Sequence, residues 1–326
     1  MKGRSGCGLL LVTGAFGFIG SHLVERLLDD GEEVVAVGVA PPAEDNLKHL
    51  TAHRNSHKLR IAALDLTDLN SFKRILKSFQ PSTVYHLAAL ASHRLSHRDP
   101  HPYLHTNLNT VLTVLETARI TEPTPKIVFT SSSSVYGDNP PPLREDMQPK
   151  PRGPYALSKL IGEELCRHYS MEYGITCPII RYFNVVGERC RSNIVFKIFA
   201  EKISRGEPVE INGRYVDGVY KPAERDFTYV RDAVEGTVLV GRKGEGAEVY
   251  NIGYGRPVSV ARVAELMIKD MGRHVPVLRK ELLSHESLIS YSDNTKARLK
   301  LGWKPKTDIE EMVRIYVEWF RASLAP

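Results

Sequence analysis

Leu9-Leu-Leu-Val-Thr13-Gly14-Ala-Phe-Gly17-Phe-Ile-Gly20-Ser21 decides the fold. The four apolar residues Leu9–Val12 read as a buried strand. Ile19–Asp29 reads as a helix, with Ile19, Leu23, Leu27 and Leu28 at helical spacing. Gly14 and Gly17 lie between them, and Gly20 falls in the first turn of the helix. Glycine lets the backbone turn tightly and approach a pyrophosphate, and the following helix N-terminus supplies amide donors and a favourable dipole. The spacing is Gly-x-x-Gly-x-x-Gly, not the commoner Gly-x-Gly-x-x-Gly. Strand, glycine loop and helix in this order still point to a dinucleotide.

The same alternation continues outward. Strands are expected at Val34–Val39, Leu59–Leu64, Thr83–Leu87, Lys126–Ser131 and Thr176–Tyr182. Helices are expected at Leu69–Phe79, Pro102–Ile120 and Pro154–Tyr173. Strands alternating with helices at this spacing imply an α/β fold, a doubly wound parallel sheet of Rossmann type over residues 1–184. After Asn184 the rhythm loosens, with helices at Ile194–Ser204, Asp232–Val240, Val260–Met271 and Ile309–Ala322. Val209–Ile211 reads as a short strand and Arg214–Glu224 as a loop. Residues 185–326 are therefore expected to form mainly a smaller C-terminal substrate-binding lobe, with some segments returning to the first domain.

Composition bounds the partners. The chain has 326 residues, 42% hydrophobic and 25% charged, which are ordinary globular values. Net charge is +6, but Lys and Arg are scattered and no basic run forms, so no nucleic-acid partner is expected. Mild basicity suits an anionic small-molecule substrate. Leu9–Val12 is too short to span a membrane, and no membrane association is expected. Cys7, Cys166, Cys177 and Cys190 contain no Cys-x-x-Cys pair, so a reducing cytoplasm fits better than a disulfide framework.

Tyr155 and Lys159 share one helix face at i and i+4. A phenol ordinarily ionises at about pH 10, and a neighbouring ammonium lowers that value toward a usable general base. The acidic residue that usually holds the adenosine ribose is replaced by Gly38, so NADP is not excluded beside NAD. Lys48 and Arg54 are only distant candidates to grip a 2′-phosphate. Asp65 is placed to meet the adenine amine; its other reading is a helix N-cap, which Asp68 could supply instead. His93, His97, His101 and His105 recur every four residues, but Pro100 and Pro102 break the helix that would align them, and no metal site is expected.

Several further motifs follow in order. They are His86-Leu-Ala-Ala89, Thr130-Ser-Ser-Ser-Ser-Val-Tyr-Gly137, Arg181-Tyr-Phe-Asn184, Arg225-Asp-Phe-Thr-Tyr-Val-Arg-Asp232, Tyr250-Asn-Ile-Gly253 and Leu301-Gly-Trp-Lys-Pro305. With the glycine loop and the Tyr–Lys pair, the chain resembles the extended short-chain dehydrogenases/reductases of the NAD-dependent epimerase/dehydratase family. That resemblance implies tightly held NAD(P) and a nucleotide-sugar substrate, UDP-linked. It implies Ser132, Tyr155 and Lys159 as the catalytic set. It assigns the cofactor to Gly14, Phe16, Gly17, Phe18, Ile19, Gly20, Asp65, Leu66, Ala88, Tyr155, Lys159 and Phe183. It assigns the substrate to Arg94, Ser132, Tyr155, Asn184, Asn193 and Arg225. Arg94 resembles an arginine near the sugar in uronate epimerases, where a guanidinium can pair with a carboxylate; its other reading is a solvated loop residue. The resemblance also implies a homodimer formed through the helices carrying Asn107 and Tyr155.

The family's reactions can be separated by local chemistry. Its 4,6-dehydratases carry Asp-Glu directly after the catalytic Ser/Thr, to eliminate water. Here Ser133 and Ser134 stand at those places, and neither is a strong acid or base near neutral pH. The expected reaction is therefore epimerisation at C4 through a transient 4-keto sugar. A decarboxylase or another dehydratase of the family is the alternative. A non-catalytic NAD(P)-sensing protein is the alternative of another class; such proteins tend to lose the Tyr or Lys kept here. The arginine the family usually places before the Ser292-Asp-Asn-Thr-Lys296 segment is replaced, the aligned places being Leu283 and Glu286, with Arg279 or Lys280 as possible substitutes.

Overall fold

The computed structural model describes residues 8–39, 44–283 and 286–324; Cys7 lies outside them. In chain order the first elements are β1 (Leu10–Thr13), α1 (Phe18–Asp29), β2 (Val34–Gly38), α2 (Glu44–Thr51), β3 (Leu59–Ala63), α3 (Leu69–Phe79) and β4 (Thr83–His86). Then come α4 (His93–Arg98), α5 (Pro100–Arg119), β5 (Lys126–Ser132), α6 (Pro154–Tyr173) and β6 (Ile179–Tyr182). The later part contains β7 (Val185–Val186), α7 (Val195–Ser204), β8 (Val209–Val216), β9 (Val219–Pro222), β10 (Glu224–Arg225), β11 (Thr228–Tyr229) and α8 (Val230–Lys243). It ends with β12 (Val249–Ile252), β13 (Val258–Ser259), α9 (Val260–Met271), β14 (Val277–Glu281), β15 (Ile289–Ser290) and α10 (Ile309–Leu324).

The chain divides into two compact units. The first comprises residues 1–135, 153–181 and 234–250; the second comprises residues 136–152, 182–233 and 251–326. The principal sheet is parallel and seven-stranded, in the order β3–β2–β1–β4–β5–β6–β12. Leu10 lies beside Val34 on one side and Thr83 on the other, so β1 is central. The doubly wound fold read from the sequence is the fold observed. β1 and β2 are buried on both faces, as a sheet covered by helices on both sides requires. Leu11, Val35, Phe72, Val84, Val114, Ile127, Phe129 and Ile179 form part of the core beneath those helices. Each such side chain, fully buried, contributes about 1.5–3 kcal/mol.

In the second unit, β14, β8 and β9 make a separate three-stranded sheet. This corrects the loop expected at Arg214–Glu224. Strand β8 runs on to Val216, and β9 pairs with it antiparallel, Val216 facing Val219. The two residues between them, Asp217 and Gly218, both have positive φ. That is the backbone of a tight hairpin turn, and Asp-Gly favours it. Elsewhere in this unit Asp232 accepts hydrogen bonds from the backbone N–H groups of Lys306 and Thr307, and the Trp303 indole donates to the Asp232 carbonyl at 2.9 Å.

Other elements also differ from expectation, among them α2 and β14, which were not anticipated. Helix α4 was not anticipated as an element, and α5 starts at Pro100, not Pro102. Pro100 stands at the start of a helix, where its missing N–H costs nothing. The chain thus restarts at Asp99, splitting the four histidines into two pairs: His93 with His97 on α4, and His101 with His105 on α5. The seventh strand, β12, was not anticipated; it has only four residues, all buried.

Candidate active site

The site is built first at the carboxyl end of the central strands. Gly14 has a φ of +66°, and an added Cβ there would lie 2.8 Å from the Ala88 nitrogen. A Cβ on Gly20 would lie 2.1 Å from the Gly14 carbonyl oxygen. The loop can therefore close only with glycine at these places. Gly17 caps α1 and offers no side-chain acceptor to the first turn, which also contains no acidic residue. That leaves a helix N-terminus suited to a phosphate group. This cradle fits the pyrophosphate of a dinucleotide; Phe16 lies in the loop, and Phe18 and Ile19 begin α1.

Flanking groups are fixed around this loop. The Ala88 N–H donates to Thr13 Oγ1 at 3.3 Å, and Thr13 Oγ1 lies 2.8 Å from His86 Nδ1. Burial pushes the His86 imidazole down to about 3, so it is neutral. Asp68 is the N-cap of α3, accepting from the N–H groups of Asn70 and Ser71. Asp65 is exposed and accepts from the N–H and hydroxyl of Thr67, both at 2.9 Å. The helix cap and the candidate adenine contact are thus two different aspartates. Leu66 is buried in the core.

Strand β5 delivers Ser132, and helix α6 delivers Tyr155 and Lys159. The two elements are bolted together at consecutive residues. Lys159 Nζ donates to the Thr130 carbonyl at 2.8 Å, and Ser131 Oγ donates to Glu163 Oε1 at 2.6 Å. A Cβ on Gly162 would lie 2.5 Å from Phe129 Cζ, so glycine there lets the helix lie close to the strand. Burial lowers the Lys159 ammonium to about 8, which leaves it charged at pH 7. Ser134 donates to Ser132 Oγ from both its N–H, at 3.2 Å, and its hydroxyl, at 3.0 Å. The position that holds an acid in a dehydratase here orients the neighbouring serine hydroxyl instead.

Sequence reading missed the residue that holds Tyr155. Gly153, the N-cap of α6, has no side chain to satisfy the first turn. Ser96 on α4 supplies it from 59 residues away: its buried Oγ accepts from the Tyr155 N–H at 3.2 Å and donates to the His93 carbonyl at 2.8 Å. Arg94, exposed, sits on the same short helix. Ser96→Ala is expected to cost about 1 kcal/mol of stability, as loss of a cap does. It should also lower kcat about tenfold with little change in KM, because it loosens the candidate base and not a substrate contact. Ser96→Thr should restore most of the loss, which steady-state kinetics on the three proteins would reveal.

The second unit holds the remaining candidates. Phe183 is fully buried, its ring 6.2 Å from that of Tyr136. Asn184 is exposed and donates to the Asp226 carbonyl at 3.3 Å; Asn193 is exposed just before α7. Arg225 Nη1 donates to the Leu288 carbonyl at 3.1 Å, and Arg214 Nη2 donates to that of Glu286 at 3.2 Å. The two possible substitutes for the family's second arginine are engaged elsewhere: Arg279 lies 5.3 Å from the Tyr220 ring centre, and Lys280 pairs with Glu210 at 3.1 Å. Buried Asp226 ties this region together, accepting from Ser292, Tyr254 and Gly255. Among the described residues, no group of three or more His, Cys, Asp or Glu is arranged to hold a metal ion.

Residues 11–316 match the family model described as GDP-mannose 4,6 dehydratase. The chain belongs to the NAD-dependent epimerase/dehydratase family. It is 32% identical over 324 residues to a UDP-glucuronate 4-epimerase of Thermodesulfobacterium geofontis, covering 97% of each chain. Its fold is similar to the crystal structure of a Thermotoga maritima UDP-glucose 4-epimerase with UDP-glucose, with a TM-score of 0.87, 33% identity, and coverage of 97% of this chain and 100% of that one. It is also similar to a Bacillus cereus UDP-glucuronic acid 4-epimerase in complex with UDP-glucuronic acid and NAD. There the TM-score is 0.85 and the identity 30%, over 97% of this chain and 99% of that one.

Proposed function

We propose that this chain is an NAD-dependent 4-epimerase of UDP-linked sugars. The observation that carries the reading is the assembly on β5 and α6. There Ser132, held by Ser134, and the Tyr155–Lys159 pair stand without a carboxylic acid at positions 133 or 134. The relatives named above support the same reading, being 4-epimerases although the family model takes its description from a dehydratase.

Bound NAD supplies reversible hydride acceptance at C4. The glycine loop and the start of α1 would hold its pyrophosphate. Tyr155 takes the 4-hydroxyl proton, directly or through Ser132, and returns it after the 4-keto sugar has turned over in the site. The Lys159 charge would favour the phenolate, and its ammonium would hold the nicotinamide ribose. No second acid is needed, because no bond other than C4–H and O–H is broken. Asn184, Asn193 and Arg225 bind the uridine diphosphate portion.

For the sugar we favour a hexuronate over a neutral hexose. Arg94 supports it, since a guanidinium pairs with a carboxylate in two parallel bonds and α4 joins this residue to Tyr155 through Ser96. The described residues include no helix long and apolar enough to cross a membrane. A cytoplasmic location is supported by free Cys166, Cys177 and Cys190. A homodimer through α5 and α6 is supported by their exposed Leu112 and Leu157.

The test is turnover of UDP-glucuronate and UDP-glucose by purified protein with no added cofactor, followed by mass spectrometry and chromatography. The expected product has the mass of the substrate and elutes as its C4 epimer, with UDP-glucuronate preferred. Net NADH, carbon dioxide or a product lighter by one water would reject the reading.

A further inference from the structure

The end of β2 differs from the ordinary dinucleotide site. An acidic side chain usually stands there, accepting from the adenosine ribose hydroxyls and repelling a 2′-phosphate. Here the last residue of β2 is the buried Gly38. An added Cβ would lie 2.5 Å from Phe16 Cδ2 and 3.0 Å from Cε2. The ring of Phe16 therefore already fills the space that a side chain at 38 would enter.

Phe16 is buried and its backbone is anchored. It is only 6% exposed, and Asn46 Nδ2, itself buried, donates to its carbonyl at 2.8 Å. On either side of it, the Ala15 N–H donates to the Val37 carbonyl at 3.1 Å and the Gly17 N–H to that of Gly14 at 3.0 Å. The Ala15–Val37 bond thus sets the loop that carries the ring against the strand that ends in the glycine.

We propose that Phe16 and Gly38 form a matched pair that reads the adenosine ribose by shape and not by charge, so that the chain binds NAD and NADP with similar affinity. This rests on the dinucleotide reading of the loop. With no carboxylate at position 38, NAD loses an acceptor for its ribose hydroxyls, and NADP loses the charge that would repel its phosphate. Of the two cations that could grip a 2′-phosphate, Lys48 stands on α2 and Arg54 is engaged. Arg54 is paired with Asp29 at 2.7 Å, and Lys58 donates to the Gly31 carbonyl at 2.6 Å.

The experiment incubates purified protein with equimolar NAD and NADP until the retained ratio stops changing. The protein is then desalted, and the released dinucleotides are quantified. The wild type should retain the two within about tenfold of each other. The variant F16A/G38D should shift the ratio toward NAD by about a hundredfold, because the Asp restores like-charge repulsion of the 2′-phosphate and the Ala makes room for the Asp side chain. Phe16→Ala alone should leave the ratio close to that of the wild type. A wild type that retains NAD more than about a hundredfold over NADP overturns the pair while leaving the epimerase reading intact. Retention of neither dinucleotide overturns both. The wild-type ratio decides the matter even if the double variant fails to fold, which circular dichroism would report.

Discussion

Tyr155→Phe is expected to lower kcat at least about a thousandfold, at the upper range of what a positioned general base supplies. The change removes one oxygen. Lys159 keeps its bond to the Thr130 carbonyl, and the Tyr155 N–H keeps its bond to Ser96, because neither involves the phenol. Fold and dinucleotide retention should therefore match the wild type, and the loss should fall on kcat, not KM. The reason is that no other group on β5 or α6 can replace the phenolate. The hydroxyls of Ser132 and Ser134 are engaged with each other and are far too weakly acidic to serve alone. Lys159, lowered by burial to about 8, remains an ammonium at neutral pH and cannot accept a proton. Single-turnover and steady-state assays with UDP-glucuronate would measure this. A loss smaller than about tenfold would mean that Tyr155 is not the base.

What the sequence disclosed follows from the range over which its signals act. The glycine loop, the Tyr–Lys pair and the strand–helix rhythm are local patterns, and the sheet they specify is the one observed. The hairpin at Val209–Pro222 was also written locally, in Asp217-Gly218 between alternating runs, and reading it as loop overlooked that turn chemistry. Ser96 belongs to another category. Its role depends on α4 meeting the start of α6 across 59 residues, and nothing in its own neighbourhood points to Tyr155. Gly38 stands between the two. Its departure from the usual acid was visible, but that Phe16 occupies the vacated space required the folded backbone. Glu163 was half-legible: it continues the i, i+4 stripe of Tyr155 and Lys159, while its buried partners Ser131 and Arg181 come from β5 and β6.

That last group carries the largest expected effect on stability. The Glu163 carboxylate and the Arg181 guanidinium are almost completely buried and meet through two bonds, Nε to Oε1 at 2.8 Å and Nη2 to Oε2 at 2.6 Å. Arg167 adds a third at 3.1 Å, from a side chain that is one-third exposed, and Ser131 adds a fourth. Arg181→Met would leave a buried carboxylate with only these last two donors. Stranding one member of a buried pair costs about 3–5 kcal/mol, because desolvation is then no longer offset. The double variant Glu163→Leu with Arg181→Met should recover most of that loss, since an apolar pair of similar volume strands no charge. Urea unfolding of the wild type, both single variants and the double variant would give the coupling energy. The double variant should nevertheless remain slower than the wild type, because Ser131 loses its acceptor on α6 and the adjoining Ser132 loses its anchor. A stability loss below about 1 kcal/mol for Arg181→Met would mean that the carboxylate finds water or a proton instead. A double variant as unstable as the single would mean that packing, and not charge, holds β5 against α6.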